Sequence, residues 1–200
     1  MTAVGLWERQ VEGAERAARD IARYGGHGLW WSMRCGKTGA AIGTLDLIGA
    51  RRTLVVAPRA VVEDDHVWRT AARRHLGEVP VLELTRGTTK DKAEDLSRFG
   101  DGIVTVTWDS VWREPLASMV RKHGWDLVIA DEIHMMKSPS SKRAKFMIPL
   151  ARTVPARLGL SGTPMGQQPM DLWSVYEFLC PGIFGGFPVE GDVQCHHDFR

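Results

Sequence analysis

The stretch GLWWSMRCGKTGAA, residues 28–41, joins a short apolar run to a glycine–lysine–threonine turn and an apolar helical pattern. A strand, a turn and a helix in that order can bring backbone amides and a helix N-terminus onto a phosphate group. Gly36 permits close approach of the backbone, Lys37 supplies a positive charge, and Thr38 supplies a hydroxyl for Mg²⁺. The usual pattern also has a glycine five positions before Gly36, where this chain has Trp31. The turn alone therefore leaves two interpretations open, a phosphate loop and a helix N-terminus that merely carries a lysine.

Length and composition are those of an ordinary globular protein. The chain has 200 residues, 44% hydrophobic and 25% charged, with a net charge of +2, which suits one α/β domain with an ample core. So small a net charge does not by itself indicate that the protein binds nucleic acid. The three cysteines have no paired spacing, the N-terminus lacks the apolar core of a signal peptide, and no apolar run approaches about 18 residues. We therefore expect a cytoplasmic protein, with a bacterial or phage-infected cell as the working assumption for its source.

Apolar stretches with strand character alternate with helical patterns along the chain. Strands are predicted at 28–31, 53–58, 79–84, 102–107, 125–132 and 156–162. Helices are predicted over 6–23, 38–50, 61–76, 89–99, most of 108–124, 140–151 and 169–179. This alternation implies a mainly parallel sheet covered by helices on both faces. In such sheets ligands bind beyond the carboxyl ends of the strands, which is where the polar motifs of this chain fall.

One of these motifs follows the most apolar strand. In LVIADEIH, residues 127–134, Asp131 and Glu132 leave a buried strand side by side, which is costly unless they meet a cation or water. They would emerge beside the loop that carries Lys37, as a pair handling Mg²⁺ should. Asp131 would then hold the ion through its water shell, and Glu132 would orient and activate the attacking water. The alternative is a solvated strand end.

A further strand ends in the small polar turn of LGLSGTP, residues 158–164. The hydroxyls of Ser161 and Thr163 could bridge the acidic pair to a neighbouring lobe. As an isolated motif this is only a turn, and it becomes specific through its order after the other two.

Taken in order, the Gly36–Lys37–Thr38 turn, LVVAP, TVTWDSV, DEIH and LSGTP resemble the first lobe of superfamily-two helicases. More narrowly, they resemble the Swi/Snf-like double-stranded DNA translocases of the DEAH/DEXH-box type. LWERQ (6–10) resembles the glutamine motif of that family, and KSPSSKRAKF and LCPGIFG resemble its stretches after the second and third motifs. In this family the first position of the loop is commonly not glycine, which accounts for Trp31. The chain departs from the family at Ser32, where an acid is usual, and at Arg34, where glycine is usual.

The resemblance covers about residues 5–187 and implies a three-layer, RecA-like P-loop NTPase lobe over residues 1–187. Residues 188–200 would be the start of a continuation or a disordered tail. If the backbone at residue 34 needs a positive φ, the side chain of Arg34 restricts the φ and ψ angles that would be open to glycine.

The resemblance also assigns roles to residues, with ATP and Mg²⁺ as cofactors. Gln10 would hydrogen-bond adenine; the alternative is a surface glutamine. The nucleotide-binding loop would comprise Met33, Arg34, Cys35, Gly36, Lys37 and Thr38. Catalysis is assigned to Lys37, Asp131 and Glu132, and metal binding to Thr38 and Asp131. Coupling between lobes is assigned to His134, Ser161 and Thr163. Contacts with the backbone of duplex DNA are assigned to Arg59, Thr107, Trp108, Ser110 and Lys137; the alternative for each basic residue is a solvated surface.

Three functional hypotheses remain. The first is the ATP-binding lobe of a DNA translocase or helicase, and the second is a nucleotide-responsive DNA-binding module without turnover. A small-molecule kinase is disfavoured, because it predicts a lid with arginines and no SGTP element. The second lobe of the family, with the arginines that reach the γ-phosphate, is not encoded in residues 165–200, since a domain of that size needs about 150 more residues. We therefore expect this chain to act with a second lobe, in the parent protein or in a partner chain, and to hydrolyse ATP very slowly alone.

Overall fold

The computed structural model describes residues 3–64, 66–163 and 171–185. These residues form one six-stranded sheet in the order β1-β6-β5-β2-β4-β3, and all neighbouring strands are parallel. The strands are β1 (Gly26–Trp30), β2 (Arg52–Ala57), β3 (Val81–Leu84), β4 (Gly102–Thr107), β5 (Leu127–Asp131) and β6 (Ala156–Ser161). The α-helices are α1 (Glu8–Tyr24), α2 (Lys37–Leu47), α3 (Val67–Leu76), α4 (Thr89–Arg98), α5 (Leu116–Lys122), α6 (Lys142–Ala151) and α7 (Asp171–Leu179). The predicted α/β architecture with a mainly parallel sheet is confirmed.

The sheet is buried on both faces. All residues of β4 and β5 are buried, as expected for the continuous apolar runs of a covered parallel sheet. Within β2, Leu54 and Val56 pack into the core formed with α4 to α7, whereas Val55 and Ala57 pack into the core formed with α1 to α3. The period of two along the strand thus divides the apolar residues between two cores, and three layers result.

Because the strands are parallel, their carboxyl ends share one edge of the sheet. The register places Trp30 opposite Ser161 and Asp131 opposite Leu160. It also places Ala57, at the end of β2, opposite Thr107 at the end of β4. The loops that follow these strands carry the polar motifs, so the sheet alone brings them to one edge.

Two predicted helices differ from the observed ones. The helix predicted over 61–76 is divided into a π-helical turn, Ala60–Asp64, and α3. Between them His66 lies in the left-handed region with φ +47°. The helix predicted over most of 108–124 is shorter than expected, since α5 begins only at Leu116. Pro115 has no amide hydrogen and disfavours helical geometry in the preceding residue.

Three features of the sequence analysis fall outside the described residues. They are Pro164 of the LSGTP motif, the first two residues of the helix predicted over 169–179, and the tail 188–200. In the part of the chain that the structure describes, no helix combines the length and the apolar character that a membrane span requires.

Candidate nucleotide-binding site

The loop between β1 and α2 is tightly built at its end. Gly36 precedes α2 with φ +80°, a conformation that glycine adopts without steric cost. A Cβ atom at this position would lie 2.4 Å from the Nε2 atom of Gln10, so the Gln10 side chain would have to move to admit a larger residue. Arg34 has φ +62°. This is a positive value, which glycine, the usual residue at this position in the family, adopts more readily than arginine. A non-glycine residue in this region costs roughly 1–2 kcal/mol.

Lys37 lies at the first turn of α2. Its ammonium donates hydrogen bonds to the carbonyl oxygens of Trp31, at 2.9 Å, and Ser32, at 3.2 Å. The amides of this helix N-terminus and the lysine therefore share one location, which is the arrangement that binds phosphate.

Gln10 is buried, with 6% of its surface exposed, so the interpretation as a surface glutamine is wrong. Its Oε1 atom accepts a hydrogen bond from the amide of Trp7 at 2.8 Å, and its Nε2 atom donates to the carbonyl oxygen of Gly36 at 3.0 Å. Gln10 thus lies against the phosphate loop. Adenine recognition by its side chain stays a prediction.

Asp131 ends β5 with only 8% of its surface exposed. Its Oδ2 atom accepts a hydrogen bond from the indole of Trp68 at 3.1 Å, and its main-chain oxygen accepts one from the indole of Trp108 at 2.8 Å. Burial raises the pKa of the Asp131 carboxyl to about 6, against the opposing effect of the Trp68 hydrogen bond; the Glu132 charge raises it further and the Lys37 charge lowers it. A buried carboxyl with a shifted pKa, close enough to interact with the loop lysine, is a candidate for metal binding.

The donor set fits Mg²⁺. This ion is usually held by one or two carboxylates together with waters and substrate phosphates, and Asp131 and the Thr38 hydroxyl provide a set of that kind. Within residues 3–64, 66–163 and 171–185, no group of three or more His, Cys, Asp or Glu side chains could hold a metal ion.

The residues predicted to couple the lobes meet beside this acidic pair. The Nδ1 atom of His134 lies 3.2 Å from Glu132 Oε2 and 3.0 Å from Ser161 Oγ. Ser161 donates to Glu132 Oε2 at 3.4 Å and accepts a hydrogen bond from the amide of Thr163 at 3.1 Å. An open cavity of about 480 Å³ is lined by Met33, Glu132, His134, Gly162 and Thr163. The network therefore faces the same space as the phosphate loop.

The residues predicted to contact DNA divide into accessible and enclosed ones. The guanidinium of Arg59 is exposed and pairs with Glu63, and the ammonium of Lys137 is half exposed, 3.8 Å from Asp171 Oδ2. Both side chains are accessible.

The other three side chains are enclosed. Trp108 has 1% of its surface exposed, and its indole N–H donates a hydrogen bond to the main-chain oxygen of Asp131. Thr107 and Ser110 are buried and hydrogen-bonded to each other through their hydroxyl oxygens at 2.8 Å. The prediction that the Trp108 side chain contacts DNA is wrong, because the large ring is placed where its N–H finds a buried partner. The structure likewise gives no support to side-chain contacts with DNA from Thr107 and Ser110.

Trp68 was missed by the sequence analysis. It lies on α3 and contacts Asp131 across 63 residues of chain. In the sequence it is one apolar residue of an amphipathic helix, and no local signal distinguishes it from an ordinary core tryptophan.

A phosphate loop, a buried acidic strand end and a serine-centred network at one edge of a parallel sheet define the class of P-loop NTPase domains. Within this class, the family model described as SNF2-related domain matches residues 9–189 of the chain. The chain therefore belongs to the SNF2-related family, and the resemblance to Swi/Snf-like proteins is confirmed.

Individual relatives agree with this assignment. The chain is similar to the protein CHROMATIN REMODELING 24 of Arabidopsis thaliana, with 32% identity over 151 residues, which are 68% of this chain and 13% of that protein. It is also similar to the DNA excision repair protein ERCC-6 of Mus musculus, with 30% identity over 148 residues, 70% of this chain and 9% of that protein. The chain thus spans about a tenth of the length of these two relatives. They come from a plant and a mammal, so they do not support the assumed bacterial or phage origin.

A solved structure shares the fold. The Sulfolobus solfataricus SWI2/SNF2 ATPase core in complex with dsDNA matches with a TM-score of 0.76 and 22% identity, covering 93% of this chain and 38% of that chain. This likeness confirms the predicted fold class.

Proposed function

We propose that this chain is the ATP-binding lobe of a DNA-dependent ATPase that moves along double-stranded DNA when it is joined to a second RecA-like lobe. The observation that carries this proposal is the meeting of Lys37, Asp131 and the network around Ser161 at one edge of the sheet. Membership of the SNF2-related family and the fold shared with a DNA-bound ATPase core support it.

Each part of the site has a task in phosphoryl transfer. Lys37 and the N-terminus of α2 would bind the terminal phosphates, and Thr38 and Asp131 would hold Mg²⁺. When bound, the ion neutralises charge that develops on the phosphates. Glu132 would orient the attacking water, and its Oε2 atom is held by Ser161 and lies beside His134.

The network would link the position of Glu132 to contacts made by a second lobe. Ser161 contacts Glu132, His134 and the amide of Thr163, so movement of the turn after β6 would change the position of the Glu132 carboxylate. A second lobe that contacts this turn could thereby affect the attacking water. Such a contact is part of the proposal.

Lys37→Ala is expected to weaken binding of ATP with Mg²⁺. Loss of a hydrogen bond from a charged group costs about 1.5–3 kcal/mol, which corresponds to roughly 10- to 150-fold in affinity. Binding of a fluorescent ATP analogue by the two proteins measures this difference.

The matched control is Lys122→Ala. Lys122 is exposed and ends α5, before the start of β5, and it therefore lies towards the opposite edge of the sheet. Its removal should leave nucleotide affinity unchanged. Equal binding by Lys37→Ala and the unaltered protein would remove the basis for the phosphate loop.

Binding of duplex DNA is expected to be weak, indifferent to sequence and steeply dependent on salt, because only phosphate contacts are proposed. Arg59→Ala should weaken binding to all sequences alike and reduce the slope of log K against log salt by about one. Arg19→Ala, an exposed arginine on α1, serves as the control and should leave the slope unchanged. Fluorescence anisotropy at several salt concentrations gives the slopes. A flat salt response, or tight recognition of one sequence, contradicts this prediction.

A further inference from the structure

Two tryptophans from distant parts of the chain converge on Asp131. Trp68, on α3, donates its indole N–H to the carboxylate oxygen Oδ2 at 3.1 Å. Trp108, in the turn after β4, donates its indole N–H to the main-chain oxygen of the same residue at 2.8 Å. Each tryptophan has only 1% of its surface exposed. One residue is therefore held at its side chain and at its backbone by two buried indoles.

The contact of Trp68 with a side-chain carboxylate is not what burial of a tryptophan requires. A buried indole N–H needs an acceptor, and a backbone carbonyl is sufficient. Trp125 shows this, since its indole donates to the main-chain oxygen of Val120 at 2.8 Å. Trp68 instead donates to a carboxylate, and a hydrogen bond with an ionised acceptor is stronger than one with a neutral acceptor. The bond therefore restrains the rotation of the Asp131 carboxylate.

We propose that Trp68 is a positioning residue, whose indole N–H fixes the Asp131 carboxylate in the orientation that receives the Mg²⁺ of a bound nucleotide. Trp108 fixes the main chain of Asp131, so the carboxylate can move only by rotation of its side chain, and Trp68 restrains that rotation. The inference rests on the proposed function only in taking Asp131 as the metal-binding residue. Hydrogen-bond partners of this kind typically contribute 10- to 100-fold to metal affinity.

The test compares Trp68→Phe with Trp125→Phe. Both changes remove an indole N–H from the core and keep an aromatic ring, but only the first removes a contact with Asp131. Binding of a fluorescent ATP analogue is measured as a function of Mg²⁺ concentration and, separately, in EDTA. For Trp68→Phe we expect the half-saturating Mg²⁺ concentration to rise about 10- to 100-fold. Affinity in EDTA should be unchanged, because Lys37 and the loop amides are intact.

The pair of readouts separates positioning from folding. A purely structural role for Trp68 would change binding with and without Mg²⁺ alike, and we expect this for neither variant. Both variants should lose some thermal stability, because each places a smaller ring where a buried tryptophan was. An equal Mg²⁺ response in Trp68→Phe and Trp125→Phe would overturn the inference. If the unaltered protein bound no ATP, the proposed function would be refuted and this inference with it.

A measurement on the unaltered protein covers the case in which Trp68→Phe does not fold. The ¹⁵N–¹H indole resonance of Trp68 should move when Mg²⁺ is added to the protein with bound nucleotide, because the ion draws on the carboxylate to which the N–H donates. The chemical shift of the Trp125 indole resonance should not change. A Trp68 resonance that does not respond to Mg²⁺ would also overturn the inference.

Discussion

A polypeptide of residues 1–200 alone is expected to hydrolyse ATP on the order of 10³- to 10⁵-fold more slowly than the same lobe joined to a second RecA-like lobe. Chemistry at the γ-phosphate depends mostly on charge stabilisation, and an arginine supplied from another domain typically contributes a factor of that size. The loop between β1 and α2 contains one cation, Arg34, and α2 begins with a second cation, Lys37. Lys37 is assigned to phosphate binding, and Arg34 is an exposed residue held at φ +62°. We therefore expect no replacement for the missing arginine from this loop.

Steady-state ATPase assays, with and without duplex DNA, measure the rates of the 200-residue chain and of a two-lobed protein. Lys37→Ala in each protein gives the background rate. DNA-stimulated turnover at ordinary enzyme rates by the 200-residue chain would contradict the prediction, and Arg34→Ala would then identify the substitute cation. Nucleotide and DNA binding without turnover in the two-lobed protein would instead favour the nucleotide-responsive binding module.

The sheet was predictable because each of its central strands is a short, largely apolar run that ends in a polar residue or, in β2, is followed by Pro58. LVIAD of β5 has no alternation, which is the pattern of a strand covered on both faces, and it is observed as a fully buried strand. A parallel sheet then places the carboxyl ends of β1, β5 and β6 on one edge, and the observed strand order makes these three strands neighbours. For this reason the convergence of Lys37, Asp131 and Ser161 could be inferred from the sequence.

The contacts that hold the site could not be inferred in the same way. Periodicity shows that Trp68 faces the core but not which buried acceptor its N–H reaches, since that depends on the packing of α3 against the sheet. Trp108 was misplaced for the opposite reason. Its position in a polar turn indicated an exposed loop, whereas the ring is buried in the core and its indole N–H donates to the main-chain oxygen of Asp131. Long-range side-chain contacts of this kind leave no periodic trace in the sequence.

Asp131→Asn is expected to stabilise the protein by about 3 kcal/mol at pH 7.5 in the absence of Mg²⁺ and nucleotide. Burial raises the pKa of Asp131 from 3.8 to about 6. Because each tenfold change in proton affinity corresponds to about 1.4 kcal/mol, ionisation of this carboxyl costs the folded state about 3 kcal/mol. Asparagine carries no charge, and its carbonyl oxygen can still accept the hydrogen bond from Trp68. The same change should abolish the Mg²⁺ dependence of nucleotide binding.

The sign of the pH dependence follows from the raised pKa. The folded state binds the proton of Asp131 more tightly than the unfolded state, so the stability due to this group is complete below about pH 4 and is lost as the pH rises through about 6. The difference between variant and unaltered protein should therefore be small at pH 4, grow between pH 4 and 6, and be constant above. Urea denaturation in EDTA at pH 4, 6 and 7.5 measures it.

Asp95→Asn provides the control, because Asp95 is an exposed carboxylate on α4, and its removal should change stability by less than about 0.5 kcal/mol at each pH. Destabilisation by Asp131→Asn at neutral pH, or a difference independent of pH, would contradict the prediction.

The cost of the Asp131 charge also bears on ligand binding. A carboxylate that destabilises the empty protein gains a partner when Mg²⁺ and nucleotide bind, so the ligands should raise the stability of the unaltered protein. In Asp131→Asn, nucleotide should raise stability to the same extent with and without Mg²⁺, since the destabilising charge and the ion-binding group are one and the same carboxylate.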